Sequence, residues 1–230
     1  MIRKIELNEV FDENVDKILE NSGVRFGFLI PAFQTQDSRL KTPDSRLQIQ
    51  DSRFKIMKRT AIFFGPEKGS VNRVADMIRD LIGADKVEMV PVKKATAADF
   101  DRFDQIIFGI STVGKETWDG KPAKTDWGIF LPEVSKGNYT GKKVAIFGLG
   151  DHITYAASFV DFIGLLAGEL QKAGARIYGQ VSTEGYEFED SEALIDGLFA
   201  GLPLDEDFEP EKTPERIKNW MALLQRDFIF

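Results

Sequence analysis

From residue 57 onward the sequence predicts an α/β protein with a parallel sheet. Three observations carry this. Short apolar runs alternate with segments of helical periodicity, the order expected of strand–helix–strand units. The first run is apolar at successive positions, as in a strand buried on both faces. Loops rich in glycine, hydroxyl or aromatic residues follow the first, third and fourth runs, where an open α/β sheet binds its ligand.

Thr60–Phe64 is the first predicted strand. Behind the loop GPEKGSV (65–71), Val71, Val74, Ala75, Ile78, Leu81 and Ile82 recur at helical spacing. Val87–Val92, Gln105–Ile110 and Lys143–Leu149 read as the second to fourth strands. A helix from about Tyr155 to Lys172 carries Phe159, Phe162, Ile163, Leu166 and Leu170 on one side, and Gly174 stops it. Ala175–Val181 makes a fifth strand. After an irregular stretch, Thr213 and Pro214 open a last helix through Ile217, Trp220, Met221 and Leu224.

The first 56 residues differ in kind. Residues 37–57 read DSRLKTP, DSRLQIQ, DSRFKIM, three copies of a seven-residue unit. Leu40, Leu47 and Phe54 recur once per unit, without the alternating three-and-four spacing of a coiled-coil seam. Pro43 interrupts any continuous helix. The segment is therefore expected to be low-complexity sequence with no packed core. Two readings stand: residues 1–56 are a tethering extension, or the true start is Met57, where MKRTAIFFG reads as a fresh domain start.

Composition removes several chemistries. The 230 residues contain no cysteine and one histidine, His152, which excludes disulfides, thiolate nucleophiles and multi-histidine metal centres. No apolar run reaches 18 residues, and no secretory signal pattern opens the chain. A cytoplasmic protein is expected. The net charge of -7 lies wholly in residues 57–230, with 21 basic and 28 acidic side chains. That balance disfavours nucleic acid and favours basic partners.

The loops exclude more. The residues PEKGSV after Gly65 lack the Gly-Lys-Ser/Thr of a P-loop. Gly148 and Gly150 suit a dinucleotide fingerprint, but Ile153 stands where its third glycine belongs. A phospho-acceptor receiver needs acidic residues where Phe64, Gly65, Ile110 and Ser111 stand. No G-x-S-x-G elbow exists for a serine hydrolase. A non-covalent planar or anionic ligand remains.

The stretches AIFFG (61–65), TDWGIFLPEV (125–134), TGKKVAIFGLGD (140–151), YAASFVDFIG (155–164), STEGYEF (182–188) and ERIKNWMALL (215–224) resemble the long-chain flavodoxins, in order and spacing, over residues 57–226. The resemblance implies a doubly wound five-stranded parallel sheet of order 2-1-3-4-5 with helices on both faces. It also implies non-covalent FMN and service as a low-potential one-electron carrier, not an enzyme with its own substrate. Its partners would be basic-surfaced redox proteins, such as flavodoxin reductases and electron acceptors, met by a monomer with an acidic surface that includes Asp205, Glu206, Asp207, Glu209 and Glu211.

Carried over by position, Tyr155 is similar to the tyrosine stacked on the outer face of the flavin. Gly148, Gly150 and Asp151 match the stretch beside the ring's pyrimidine edge, where the charge of Asp151 would lower the potential. His152 is expected either at the ring edge or as a solvated loop residue. Ser111, Thr112, Val113 and Gly114 occupy the inner-face loop. Val113 replaces the family's tryptophan there, and Trp118 is either its substitute or an ordinary core or surface residue. Gly114 keeps the backbone freedom of the family's redox-linked peptide flip.

The phosphate loop departs most. Gly65 is followed by Pro66, Glu67, Lys68, Gly69, Ser70 and Val71 where the family has T/S-x-T-G-x-T, so all three hydroxyl positions are lost. Gly69, the N–H groups from Lys68 to Asn72 and the helix start survive. Lys68 offers a charge, and Ser70 or Asn72 a replacement donor. Two rival functions stay open: a flavodoxin-fold binding or regulatory module without FMN, and an FMN-dependent quinone or nitro reductase in which Val113 opens room for substrate.

Overall fold

The computed structural model describes residues 60–111 and 125–230; the repeat over 37–57, Thr112, Val113, Gly114 and Trp118 lie outside them. Strands β1 (Thr60–Phe64), β2 (Val87–Pro91), β3 (Gln105–Ser111), β4 (Lys143–Leu149) and β5 (Arg176–Tyr178) form a parallel sheet in the order β2-β1-β3-β4-β5. Helices α1 (Ser70–Ile82), α2 (Asp126–Val134), α3 (Asp161–Lys172) and α4 (Thr213–Leu224) cover its two faces.

The apolar runs explain this layering. Successive side chains of a strand point to opposite faces. Ala61, Phe63, Ile106, Phe108, Val144 and Ile146 pack in one core with Trp127 and Phe130 of α2 and Ile163, Leu166 and Leu170 of α3. Ile62, Phe64, Ile107, Ala145 and Phe147 pack in the other with Val71, Val74 and Ile78 of α1 and Ile217, Trp220 and Leu224 of α4. Phe63 sits at the centre of the first core, 5.0 Å from the Phe100 ring in an edge contact.

Three expectations are corrected. The fifth strand does not run through Ala175–Val181. Arg176–Tyr178 pairs with Lys143–Ala145, and a separate strand β9 (Leu202–Leu204) completes the edge beside Phe147–Leu149. Between them, β6 (Val181–Ser182), β7 (Leu194–Ile195) and β8 (Leu198–Phe199) form an antiparallel sheet in the order β6-β8-β7. Gly179 turns the chain away at φ 77°, where a Cβ would lie 2.7 Å from Trp220 and Leu224. Gly201 returns it, with room for no Cβ against the Ile146 carbonyl (2.2 Å).

The helix expected from Tyr155 begins at Asp161 instead. Ala156–Ser158 forms a single 3₁₀ turn, and Val160 adopts a left-handed conformation at φ 50°. The Ala156 carbonyl accepts the N–H groups of Glu189 and Asp190, and the Phe159 carbonyl accepts the Ser191 hydroxyl. Those carbonyls are therefore claimed by the 189–191 segment and not by a helix. The third correction is α2, which the periodicity missed. It is nine residues long with Gly128 and Pro132 inside, and it starts because Thr125 Oγ1 accepts the Gly128 N–H (3.0 Å).

Among the described residues, no helix is long and apolar enough to cross a membrane.

Candidate functional site

Strands β1, β3 and β4 end side by side, with Phe64 opposite Gly109 and Ser111 opposite Leu149. A cleft of about 450 Å³ opens at these ends, within the usual range for small-molecule sites.

The first wall is the loop after β1. Gly65 packs against Val92 and Trp127, whose Nε1–H donates to the Gly109 carbonyl (3.0 Å), and the Gly65–Pro66 bond is cis. Lys68 takes φ 63° and Gly69 φ 155°, the latter a conformation essentially reserved for glycine. Glu67 is drawn aside into an ion pair with Lys94 (3.0 Å). Pro66, Ser70 and Val71 line the cleft. Among the described residues no side chain caps α1, and no acidic residue stands in its first turn. The positive end of the helix dipole therefore lies at the cleft without an acidic residue in its own first turn. Asn72 is engaged elsewhere: its Oδ1 accepts the Lys68 N–H (3.4 Å) and its Nδ2 donates to Asp76 (2.6 Å).

The second wall follows β4. Leu149, Gly150, Asp151 and Tyr155 line the cleft. Gly150 donates its N–H to the Leu204 carbonyl (2.9 Å), and a Cβ there would meet the Val160 backbone at 2.9 Å. Asp151 Oδ1 accepts the N–H groups of Ile153 (2.9 Å) and Thr154 (2.6 Å), which folds the turn that presents Tyr155. Tyr155 is 54% exposed, a large aromatic surface left uncovered by the fold.

A third contribution comes from the segment after β9, where Glu206 and Asp207 line the cleft. Glu206 is held by the Thr213 hydroxyl and by Arg73 (2.9 Å). Asp205 is fully buried. Its Oδ2 accepts the His152 N–H (3.0 Å) and meets His152 Nδ1 at 2.5 Å, and its Oδ1 accepts the N–H groups of Asp207 and Phe208 (2.8 Å each). Burial alone would raise this carboxyl. The His152 and Phe208 N–H groups, the imidazole and the Asp207 N–H outweigh it and hold the group below its usual range.

These contacts correct two expectations. His152 is neither a solvated loop residue nor at the cleft wall. It is a buried clamp, with Phe159 and Phe208 presenting ring edges at 6.2 and 6.3 Å. The acidic run is not all surface either. Asp205 and most of Glu206 are buried, Glu209 is paired with Lys212 and Arg216, and Asp207 and Glu211 are exposed.

Of the residues expected from the sequence, the cleft brings together Ser70, Val71, Ser111, Gly150, Asp151 and Tyr155. Gly65, Glu67, Lys68, Gly69, Asn72 and Gly148 shape its surroundings without lining it. Gly148 serves packing, since a Cβ there would lie 2.4 Å from Ile163 Cγ1. Glu206 and Asp207 carried no site signal in the sequence because β9, which delivers them, was not legible there.

A family model described as flavodoxin matches residues 62–220. A flavodoxin from Nostoc sp. is 38% identical over 171 residues, covering 74% of this chain and 98% of that protein. Flavodoxin 1 from Azotobacter vinelandii is 34% identical over 178 residues, covering 75% and 99%. Among solved structures, a Fusobacterium nucleatum flavodoxin bound to flavin mononucleotide superposes with a TM-score of 0.65 at 27% identity, over 74% of this chain and 98% of that one. Sheet order, a cleft at the strand ends and relatives matched over nearly their whole length agree, and this chain belongs to the flavodoxin family.

Proposed function

We propose that this protein is an electron carrier that binds FMN without a covalent bond in the cleft at the ends of β1, β3 and β4. One observation carries the reading. The same cleft joins an uncapped helix start, suited to a phosphate, to an uncovered aromatic side chain, suited to a flat ring.

The residues present fit the group. The N–H groups at the start of α1 and the hydroxyl of Ser70 would hold the phosphate, with Glu67 already neutralised by Lys94. Tyr155 would stack on the ring, while Gly150 and Asp151 would border its edge. FMN, once bound, supplies the one-electron chemistry. The chain supplies position and field: Asp151 and Asp207 place negative charge at the cleft, which disfavours added electron density and lowers the potential. The exposed acidic residues steer the carrier, as a monomer in the cytoplasm, to basic surfaces on reductases and electron acceptors.

The test is direct. The purified full chain is expected to be yellow or to quench added FMN fluorescence, and to accept electrons from NAD(P)H only through a separate reductase. Tyr155→Ala should weaken FMN by about 1–3 kcal/mol, the usual worth of a base stacked on an aromatic side chain. A colourless chain that leaves FMN fluorescence unchanged would sink the proposal.

A further inference from the structure

Of residues 65–71 only Ser70 carries a hydroxyl, so the question is what else could meet a phosphate there. One turn into α1, the Arg73 guanidinium donates through Nη2 to Ser70 Oγ (3.1 Å) and to Glu206 Oε2 (2.9 Å). Both Ser70 and Glu206 line the cleft. Arg73 therefore bridges the helix start to the segment after β9, at the mouth where the helix dipole is positive. Its side chain is 62% exposed, whereas Glu206 is only 9% exposed and is anchored through its other oxygen by the Thr213 hydroxyl. The cation is the movable partner and the carboxylate is the fixed one.

We infer that Arg73 is the residue that selects the phosphorylated flavin. It supplies a charge-assisted donor where Ser70 offers the single hydroxyl of the loop, and Glu206 parks it beside Ser70 in competition with the phosphate. A guanidinium carries several donors in a planar fork, so it can serve a phosphate through one edge while Ser70 stays within reach. Neither Arg73 nor Lys68 lines the cleft itself, but the Arg73 guanidinium is held by two residues that do, Ser70 and Glu206. Lys68 meets the site only through its backbone N–H, which donates to Asn72. Glu206 acts in the opposite sense, because it holds a negative charge at the cleft and occupies the guanidinium.

This inference rests on the proposed FMN site, and the experiment separates the two. Binding of FMN and of riboflavin, which lacks the phosphate, is measured on the full chain for the native protein, Arg73→Gln and Glu206→Gln. Arg73→Gln should weaken FMN by roughly tenfold to a hundredfold, the worth of one hydrogen bond to a charged group, and leave riboflavin unchanged. The FMN affinity of the native protein should fall as salt is raised, and that slope should flatten in Arg73→Gln. Glu206→Gln should tighten FMN. Equal losses for FMN and riboflavin in Arg73→Gln, or a weakening of FMN in Glu206→Gln, would overturn the inference while leaving the FMN site standing. Failure of the native chain to bind either flavin would instead overturn the site itself.

Discussion

Asp205 shows how much one buried side chain can organise. Its two oxygens accept backbone N–H groups from residues 152, 207 and 208 and meet the His152 imidazole. The loop that carries Asp151 and Tyr155 is thereby tied to the loop that carries Glu206 and Asp207. Because the folded carboxyl lies below its usual range, its contribution to stability is complete above the unfolded pKa of about 3.9 and is lost as pH falls through the folded value. Asp205→Asn should therefore cost about 1–3 kcal/mol at neutral pH. The gap to the native protein should narrow in acid below the ordinary carboxylate range. Urea unfolding at a series of pH values checks this; a gap independent of pH would show that the charge contributes nothing.

At the scale of elements, β4 and α3 meet closely beneath the cleft. Gly148 lies under Ile163 with no room for a methyl group. Gly148→Ala should destabilise by about 1–3 kcal/mol through overpacking. Adding Ile163→Ala should cost less than the two single changes suggest, because the second makes space for the first. Chemical denaturation of the four proteins in this cycle measures the coupling, and strict additivity would argue against the contact. FMN affinity is expected to change little, since Gly148 packs without lining the cleft. The glycine pattern after β4 thus has mixed causes: Gly148 answers a packing demand, and Gly150 a close approach at the cleft itself.

At the scale of the whole molecule, the family match spans residues 62–220 and does not reach the first 56 residues. We propose that residues 57–230 are a complete folding and binding unit and that residues 1–56 are an appendage. A chain starting at Met57 is expected to share the full chain's unfolding midpoint and FMN affinity within about 0.5 kcal/mol, as for changes remote from any packed feature. A markedly lower midpoint would show that the extension packs on the domain.

Much of this was legible in the sequence, because a sheet buried on both faces must be written as consecutive apolar residues. AIFF, QIIFGI and KVAIFGL therefore announced their strands and their parallel pairing. The loops after them were legible too, since strand ends and glycines mark where a chain leaves the sheet. Asp151 and Tyr155 were singled out within them only by the resemblance to flavodoxins, and both line the cleft with Ser70. What the sequence did not carry was any contact between distant segments. The division of the edge strand into β5 and β9 depends on Gly179 and Gly201 meeting Trp220 and Ile146. The burial of His152 depends on a carboxylate 53 residues away, and the bridge from Arg73 to Glu206 spans 133 residues. Local pattern determined the strands and the position of the cleft because backbone preference and burial act residue by residue. Only the tertiary structure decided which charges face one another inside the cleft, because that depends on loops whose course is set by packing and not by periodicity.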